Sequence, residues 1–202
     1  FSAETERTLS VLDYAILVIS GSEGVQAHTE TLWGLLERYS VPTFIFITKM
    51  DIAVCNESDI MSELENRLSA YCVNFSDSRE LDERIAMTDE LLLESYLSHD
   101  KVDEDYAARN VADRKLFPCY FGSGLKLDGI EELLYGLELY TVPHNYPEDF
   151  AAKVFKIIYD KNGTRMTYMR ITGGSLSVRE PITYIPVGDT ESIEEKITII
   201  RV

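Results

Sequence analysis

An aspartate carboxylate accepts two hydrogen bonds side by side, which suits it to a ligand that presents two adjacent N–H donors. Asp51 stands where such a contact could be made, closing the run Thr48-Lys49-Met50-Asp51 directly after the apolar stretch Thr43 to Thr48. A second polar cap, Ser123-Gly124-Leu125, follows another apolar stretch, Leu116 to Phe121. The Ser123 hydroxyl and the backbone N–H groups of Gly124 and Leu125 are donors for a ligand oxygen, and Lys49 can lay its aliphatic stem along a flat ligand while its ammonium braces neighbouring loops. Thr48, Lys49 and Asp51 in one cap, and Ser123, Gly124 and Leu125 in the other, are polar or backbone groups on the ends of apolar strands. No catalytic residue is assigned in this chain. His28, His99 and His144 are far apart, and Cys55, Cys72 and Cys119 are widely spaced with no C-x-x-C pair, so no metal site is expected. The three cysteines read as buried free thiols of a reducing compartment.

The elements that must position these caps alternate between strand and helix. Tyr14 to Ile19 is a continuous apolar run ending at Ser20-Gly21, which fits a strand covered on both faces of a parallel sheet. Val25, Leu32, Leu35, Leu36 and Tyr39 recur at helical spacing, and Pro42 stops that helix before the strand Thr43 to Thr48. Ile60, Leu64 and Leu68 predict one further helix and Leu91, Leu92, Ser95 and Tyr96 another. Leu116 to Phe121 reads as a third strand, and Ile130, Leu133, Leu134, Leu137 and Tyr140 as a closing helix. This is an α/β sheet, and in open α/β sheets ligands sit beyond the carboxyl ends of the strands. Both polar caps lie at such ends.

From Phe150 the period changes to two. Residues 152–159 alternate, Asp160-Lys161-Asn162-Gly163 supplies hairpin turn residues, and Arg165 to Ile171 is the returning strand. Pro181 to Pro186 and Lys196 to Val202 are expected as further strands. Charge shifts at the same place: residues 1–143 hold 11 basic and 27 acidic side chains, net −16, whereas residues 144–202 hold 8 of each. The proline-bracketed segment Val142 to Pro147 suits a linker, giving two domains, 1–143 and 144–202.

With 202 residues, 45% apolar content and a net charge of −16, the chain can bury a core and is no collagen-like or low-complexity sequence. No apolar run approaches the roughly 20 residues that span a bilayer, and no signal peptide is evident, so no membrane partner is expected and a cytoplasmic location is the default. The acidity argues against a generic grip on nucleic acid, and no sequence-specific DNA binding is expected. The stretch 57–105, with 15 acidic and 4 basic residues, reads as a solvated helical face.

The two caps, in this order, resemble the [NT]-K-x-D and S-A-x guanine-recognition motifs of GTP-binding proteins. Leu9 to Ser20 and Gly24 to Thr29 resemble the segment after the second switch in translational GTPases of the elongation factor G type. Val154-Phe155-Lys156-Ile157, Tyr168-Met169-Arg170-Ile171 and Gly174-Ser175-Leu176 resemble the opening strands of the β-barrel domain that follows in those proteins. Within the group, the gap between the caps and the wording of the barrel strands look most like the tetracycline-resistance ribosomal protection proteins. The resemblance implies a fold: part of a P-loop GTPase domain with a parallel sheet over 1–143, then the first part of an all-β translation-factor barrel over 144–202. It implies GTP or GDP as ligand and the ribosome as partner. Asp51 would engage the ring N–H and exocyclic amine of guanine, while Ser123 and the N–H groups of Gly124 and Leu125 would meet its carbonyl. By the resemblance Thr48 stands where Asn is commoner and would tie two loops together through its hydroxyl, and Gly124 stands where Ala is usual.

A complete GTPase also needs a G-x-x-x-x-G-K-[ST] loop to hold phosphates and Mg²⁺. None of the 11 glycines falls in that arrangement, and Phe1 aligns by resemblance just after the D-x-x-G-H motif. The expectation is a fragment that recognises guanine without hydrolysing GTP, Mg²⁺ belonging only to the intact parent. The competing function is a non-catalytic ribosome- or protein-binding module descended from such a GTPase. Loss of a phosphate-loop strand beside residues 14–19 would leave an apolar edge, so self-association is also expected.

Overall fold

The computed structural model describes residues 3–76, 80–185 and 190–201. Phe1, Pro186 and Val202, which mark the start of the resemblance and the ends of two expected strands, lie outside those residues. The chain divides into two compact units, residues 1–143 and 144–202.

In the first unit the chain runs α1 (Ala3–Leu9), β1 (Ala15–Ser20), α2 (Ala27–Arg38), β2 (Thr43–Thr48), α3 (Glu57–Arg67), β3 (Cys72–Asn74), α4 (Leu81–Ala86), α5 (Glu90–His99), α6 (Glu104–Ala112), β4 (Phe117–Phe121) and α7 (Ile130–Tyr140). The four strands form one parallel sheet in the order β1-β2-β4-β3. All their carboxyl ends therefore point to the same edge, and β4, the last of the four in sequence, is an interior strand.

Alternation along β2 explains both faces of the core. Successive side chains on a strand point to opposite sides. Phe44 and Phe46 enter one cluster with Val73, Phe75, Leu92, Val111, Tyr120 and Tyr140, packed by α4 to α7. Ile45 and Ile47 enter the other with Leu17, Ile19, Trp33, Ile60, Leu64 and Phe121, packed by α2 and α3. These β2 side chains are at most 4% exposed, which is why the strand reads as an unbroken apolar run rather than an alternating one. β1 is covered on one side only: Leu17 and Ile19 are buried, whereas Ile16 is 44% and Val18 59% exposed.

Helix ends follow local chemistry. Asn56, Asp89 and Asp103 cap α3, α5 and α6 by accepting from the N–H groups of Asp59, Leu91 and Tyr106, each at 2.9 Å. At the opposite edge of the sheet from the strand ends, the half-buried Arg114 guanidinium lies 5.0 Å above Trp33 and 5.1 Å above Phe117, and donates to the Val41 carbonyl and to Thr43 Oγ1.

The second unit is antiparallel. β5 (Ala151–Tyr159) pairs with β6 (Arg165–Gly173), with register shifts at Ala151/Ala152 and Val154/Lys156. Their turn is closed by Asp160 Oδ1, which accepts from the N–H groups of Asn162 and Thr164, both at 2.8 Å, with Gly163 at φ +78°. β7 (Pro181–Tyr184) pairs with β8 (Ile193–Lys196) as a second two-stranded sheet. The expected strand from Lys196 is thus displaced: the paired residues are 193–196, and 197–201 form no strand. Among the described residues of this unit only Gly173 is buried.

One cysteine expectation also needs correction. Cys72 and Cys119 are buried, but Cys55 is exposed. It sits in the loop between Asp51 and the Asn56 cap, beyond the strand ends where no layer covers the chain.

Candidate functional site

Three strand ends are stitched together at the carboxyl edge of the sheet. The Gly21 N–H donates to the Thr48 carbonyl at 2.8 Å, the Gly122 N–H to the Ile47 carbonyl at 2.9 Å, and the Met50 N–H to the Gly122 carbonyl at 3.0 Å. The loops after β1, β2 and β4 are thereby fixed against one another. Lys49 makes this possible by turning left-handed, φ 62°, between two residues that both bond to neighbouring loops. A left-handed side-chain-bearing residue costs roughly 1–2 kcal/mol, which the three flanking hydrogen bonds offset.

Two glycines let the loop after β4 close on itself. A Cβ on Gly122 would run into the Asp128 carbonyl, and one on Gly129 into the Phe121 carbonyl. Ser123 and Asp128 form an isolated antiparallel bridge, the Ser123 N–H donating to the Asp128 carbonyl at 3.0 Å. Gly129, at φ +73°, then opens α7. The loop 122–129 is a closed turn with a fixed base.

The six residues singled out in the sequence fall on these two loops. Thr48 Oγ1 accepts from the Gly124 N–H at 3.3 Å, linking the two caps directly. Ser123 is 3% exposed, and its Oγ accepts from the Lys126 N–H at 3.4 Å. The Asp51 side chain is 17% exposed, and its Oδ2 lies 3.4 Å from Lys126 Nζ. Hydrogen bonding from the Ser123 hydroxyl, and then from Lys126, holds the Asp51 carboxyl below its ordinary value of 3.8 against the opposing effect of desolvation. Asp51 is therefore ionised at neutral pH, with both oxygens available as acceptors. Lys49 is exposed. Leu125 is 92% exposed, so its side chain packs on nothing, and its backbone N–H is the group it can offer.

Sequence reasoning missed Lys126, whose charge faces Asp51, and the Gly122, Asp128 and Gly129 clamp. A signal existed for both: a lysine three residues after Ser123, and glycines bracketing the cap at 122 and 129. Among the described residues no group of three or more His, Cys, Asp or Glu side chains could hold a metal ion, and no helix is long and apolar enough to cross a membrane.

The arrangement presents an ionised carboxylate beside a buried hydroxyl, with the exposed Lys49 and Leu125 on the same two loops. That set suits a flat heterocycle carrying adjacent N–H donors and a carbonyl. The profile of the elongation factor Tu GTP binding domain family matches residues 1–143. Tetracycline resistance protein TetM of Enterococcus faecalis is 34% identical over 202 residues, covering 90% of this chain and 32% of the relative. The TetM protein of Neisseria meningitidis gives the same identity and coverage. The oxytetracycline resistance protein of Streptomyces rimosus is 30% identical over 234 residues, covering 100% of this chain and 35% of its own length. The chain thus spans about a third of the length of the curated relatives it matches.

Proposed function

The chain belongs to the elongation factor Tu GTP-binding domain family, and from that premise we propose that Thr48, Lys49, Asp51, Ser123, Gly124 and Leu125 recognise the guanine base of GTP and GDP. The observation that carries this reading is the convergence of two loops on one carboxylate: Gly124 bonded to Thr48, and Ser123 and Lys126 both facing Asp51. Asp51 accepts from the ring N–H and the exocyclic amine together, a pair that adenine does not present. The Ser123 hydroxyl gives its one proton to Asp51 and orients that carboxylate, the N–H groups of Leu125 and of Gly124, once it leaves its long bond to Thr48, meet the guanine carbonyl, and the Lys49 stem covers the edge of the base. A site whose polar groups are left unpaired by the wrong base discriminates by roughly 10⁴.

The protein to which these residues belong is, in this reading, a ribosome-associated translational GTPase of the tetracycline-resistance and elongation factor G type. Residues 1–143 supply the base-recognition part of its nucleotide domain and residues 144–202 the first strands of a β-barrel domain. Identity of 30–34% to proteins named for tetracycline and oxytetracycline resistance supports the subgroup. Mg²⁺, when bound with the nucleotide, would neutralise phosphate charge. The 202 residues contain no G-x-x-x-x-G-K-[ST] run, so their own contribution is base selection rather than phosphoryl transfer.

Substitution Asp51→Asn tests the reading. It replaces one carboxylate acceptor by a donor, so the preference between guanosine and xanthosine, measured by NMR titration, moves toward xanthosine. Unchanged selectivity would show that Asp51 does not touch the base.

A further inference from the structure

β4 runs past the end of the strand beside it. Up to that point the two are bonded backbone to backbone: the Phe117 N–H donates to the Tyr71 carbonyl, and the Phe75 N–H to the Cys119 carbonyl. Two residues on, the Phe121 N–H meets a side chain instead, Ser76 Oγ at 2.9 Å. Bonds along one edge of a strand recur at every second residue, so this hydroxyl stands where the next carbonyl of β3 would have been.

Ser76 is itself held in place. Its N–H donates to Asn74 Oδ1 at 2.9 Å, the local turn that Asn side chains favour. Asn74 is 7% exposed, and its Nδ2 donates at 3.2 Å to Glu57 Oε2, in the first turn of α3. The residue after Phe121 is Gly122, which bonds the other way, its N–H to the Ile47 carbonyl of β2 and its carbonyl to the Met50 N–H. The base of the loop that carries Ser123 is thus gripped from both sides. The β2 side is held backbone to backbone, whereas the grip on Phe121 hangs on one hydroxyl.

Resting on the guanine reading above, we infer that Ser76 is a positioning residue for base recognition: its hydroxyl, set by Asn74, fixes the end of β4 so that Ser123 and its neighbours stand against Asp51. It acts through the strand and not on the base. Without that hydroxyl the Phe121 N–H turns to water, and the loop is free to hinge about its β2 side. Ser123 lies two residues beyond Phe121, and hydrogen bonds weaken steeply once donor and acceptor leave their line.

Guanosine, titrated by NMR into the 202-residue chain and into Ser76→Ala and Ser76→Thr, tests this. Ser76→Ala binds about twofold to tenfold more weakly, the range of one hydrogen bond, and Ser76→Thr, which keeps the hydroxyl, binds as the unaltered chain does. A second readout needs no ligand: the Asp51 carboxyl carbon titrates nearer 3.8 in Ser76→Ala, because Ser123 no longer sits squarely on it, and stays low in Ser76→Thr. A residue that merely stabilised the sheet would lower the urea midpoint in Ser76→Ala and leave both readouts unmoved. That result would overturn the inference and leave guanine recognition standing. Lost affinity that Ser76→Thr failed to restore would overturn it too, since the hydroxyl would not be the agent. If the Asp51 titration shifted but none of the three proteins bound guanosine, the guanine reading would fall and take the positioning role with it.

Discussion

The Gly124 N–H donates to Thr48 Oγ1 over 3.3 Å, joining two loops whose residues are 76 positions apart in sequence. A Cβ added at Gly124 would meet only that same hydroxyl oxygen, at 3.6 Å, an ordinary contact. Gly124→Ala is therefore accommodated, and the loss of unfolded-chain freedom makes it stabilising by about 0.4–1 kcal/mol. Gly122→Ala, by contrast, drives a methyl group into the Asp128 carbonyl and costs about 1–3 kcal/mol. Urea denaturation of the two variants should move the midpoint in opposite directions.

The Asp51 carboxyl titrates below 3.8, held there first by the Ser123 hydroxyl and then by Lys126. A depressed carboxyl contributes stability that is present above its unfolded value and lost as pH falls through the lower folded value. Base binding should follow the same course, persisting at pH 4 and failing only in stronger acid. Carboxyl carbon NMR on the folded chain reads the titration directly, and Ser123→Ala should raise it toward 3.8.

At the other end of the pH scale, burial pushes the Tyr140 phenol up to about 12 and Tyr120 higher still. Tyr140 packs edge-on against Phe75, with ring centroids 5.1 Å apart. A phenol raised in the folded state contributes stability that is complete below pH 10 and lost as pH rises through about 12. Circular dichroism and tyrosinate absorbance should change together in that window. Substitution Tyr140→Phe removes one of these two linkages and should shift the loss of structure to higher pH.

β1 pairs with β2 on one side alone among the described residues, and Ile16 and Val18 are exposed beside its open edge. Such an edge is a template for pairing with another chain, and a lysine on it blunts the template. Self-association is expected to rise with concentration in sedimentation velocity runs and to fall sharply in Val18→Lys. A single monomeric boundary across a wide concentration range would refute it.

Elements built from long apolar runs were legible in the sequence. β2 and β4 are covered on both faces, and α7 carries large side chains at helical spacing, so each announces its type. β3, Cys72–Asn74, did not: three residues are too few for any period to show. α6 escaped because its buried face is made largely of Ala107, Ala108, Asn110 and Val111, too small and mixed to stand out. α4 is a six-residue helix in an acidic stretch. The two polar caps were readable because strand ends concentrate ligand chemistry; Lys126 stands three residues after Ser123 in plain sight, but its pairing with Asp51 exists only once β4 lies beside β2.

That insertion of β4 between β2 and β3 has a consequence during synthesis. β2 leaves the ribosome with one flank open, and the strand that fills it ends at Phe121, seventy residues after Asp51. At about 5–20 residues per second this leaves roughly 4–14 s in which the apolar β2 has no inner neighbour. For that interval a holdase-type chaperone would find its footing on Phe44 to Ile47, and codons that slow translation before residue 117 would lengthen the exposure.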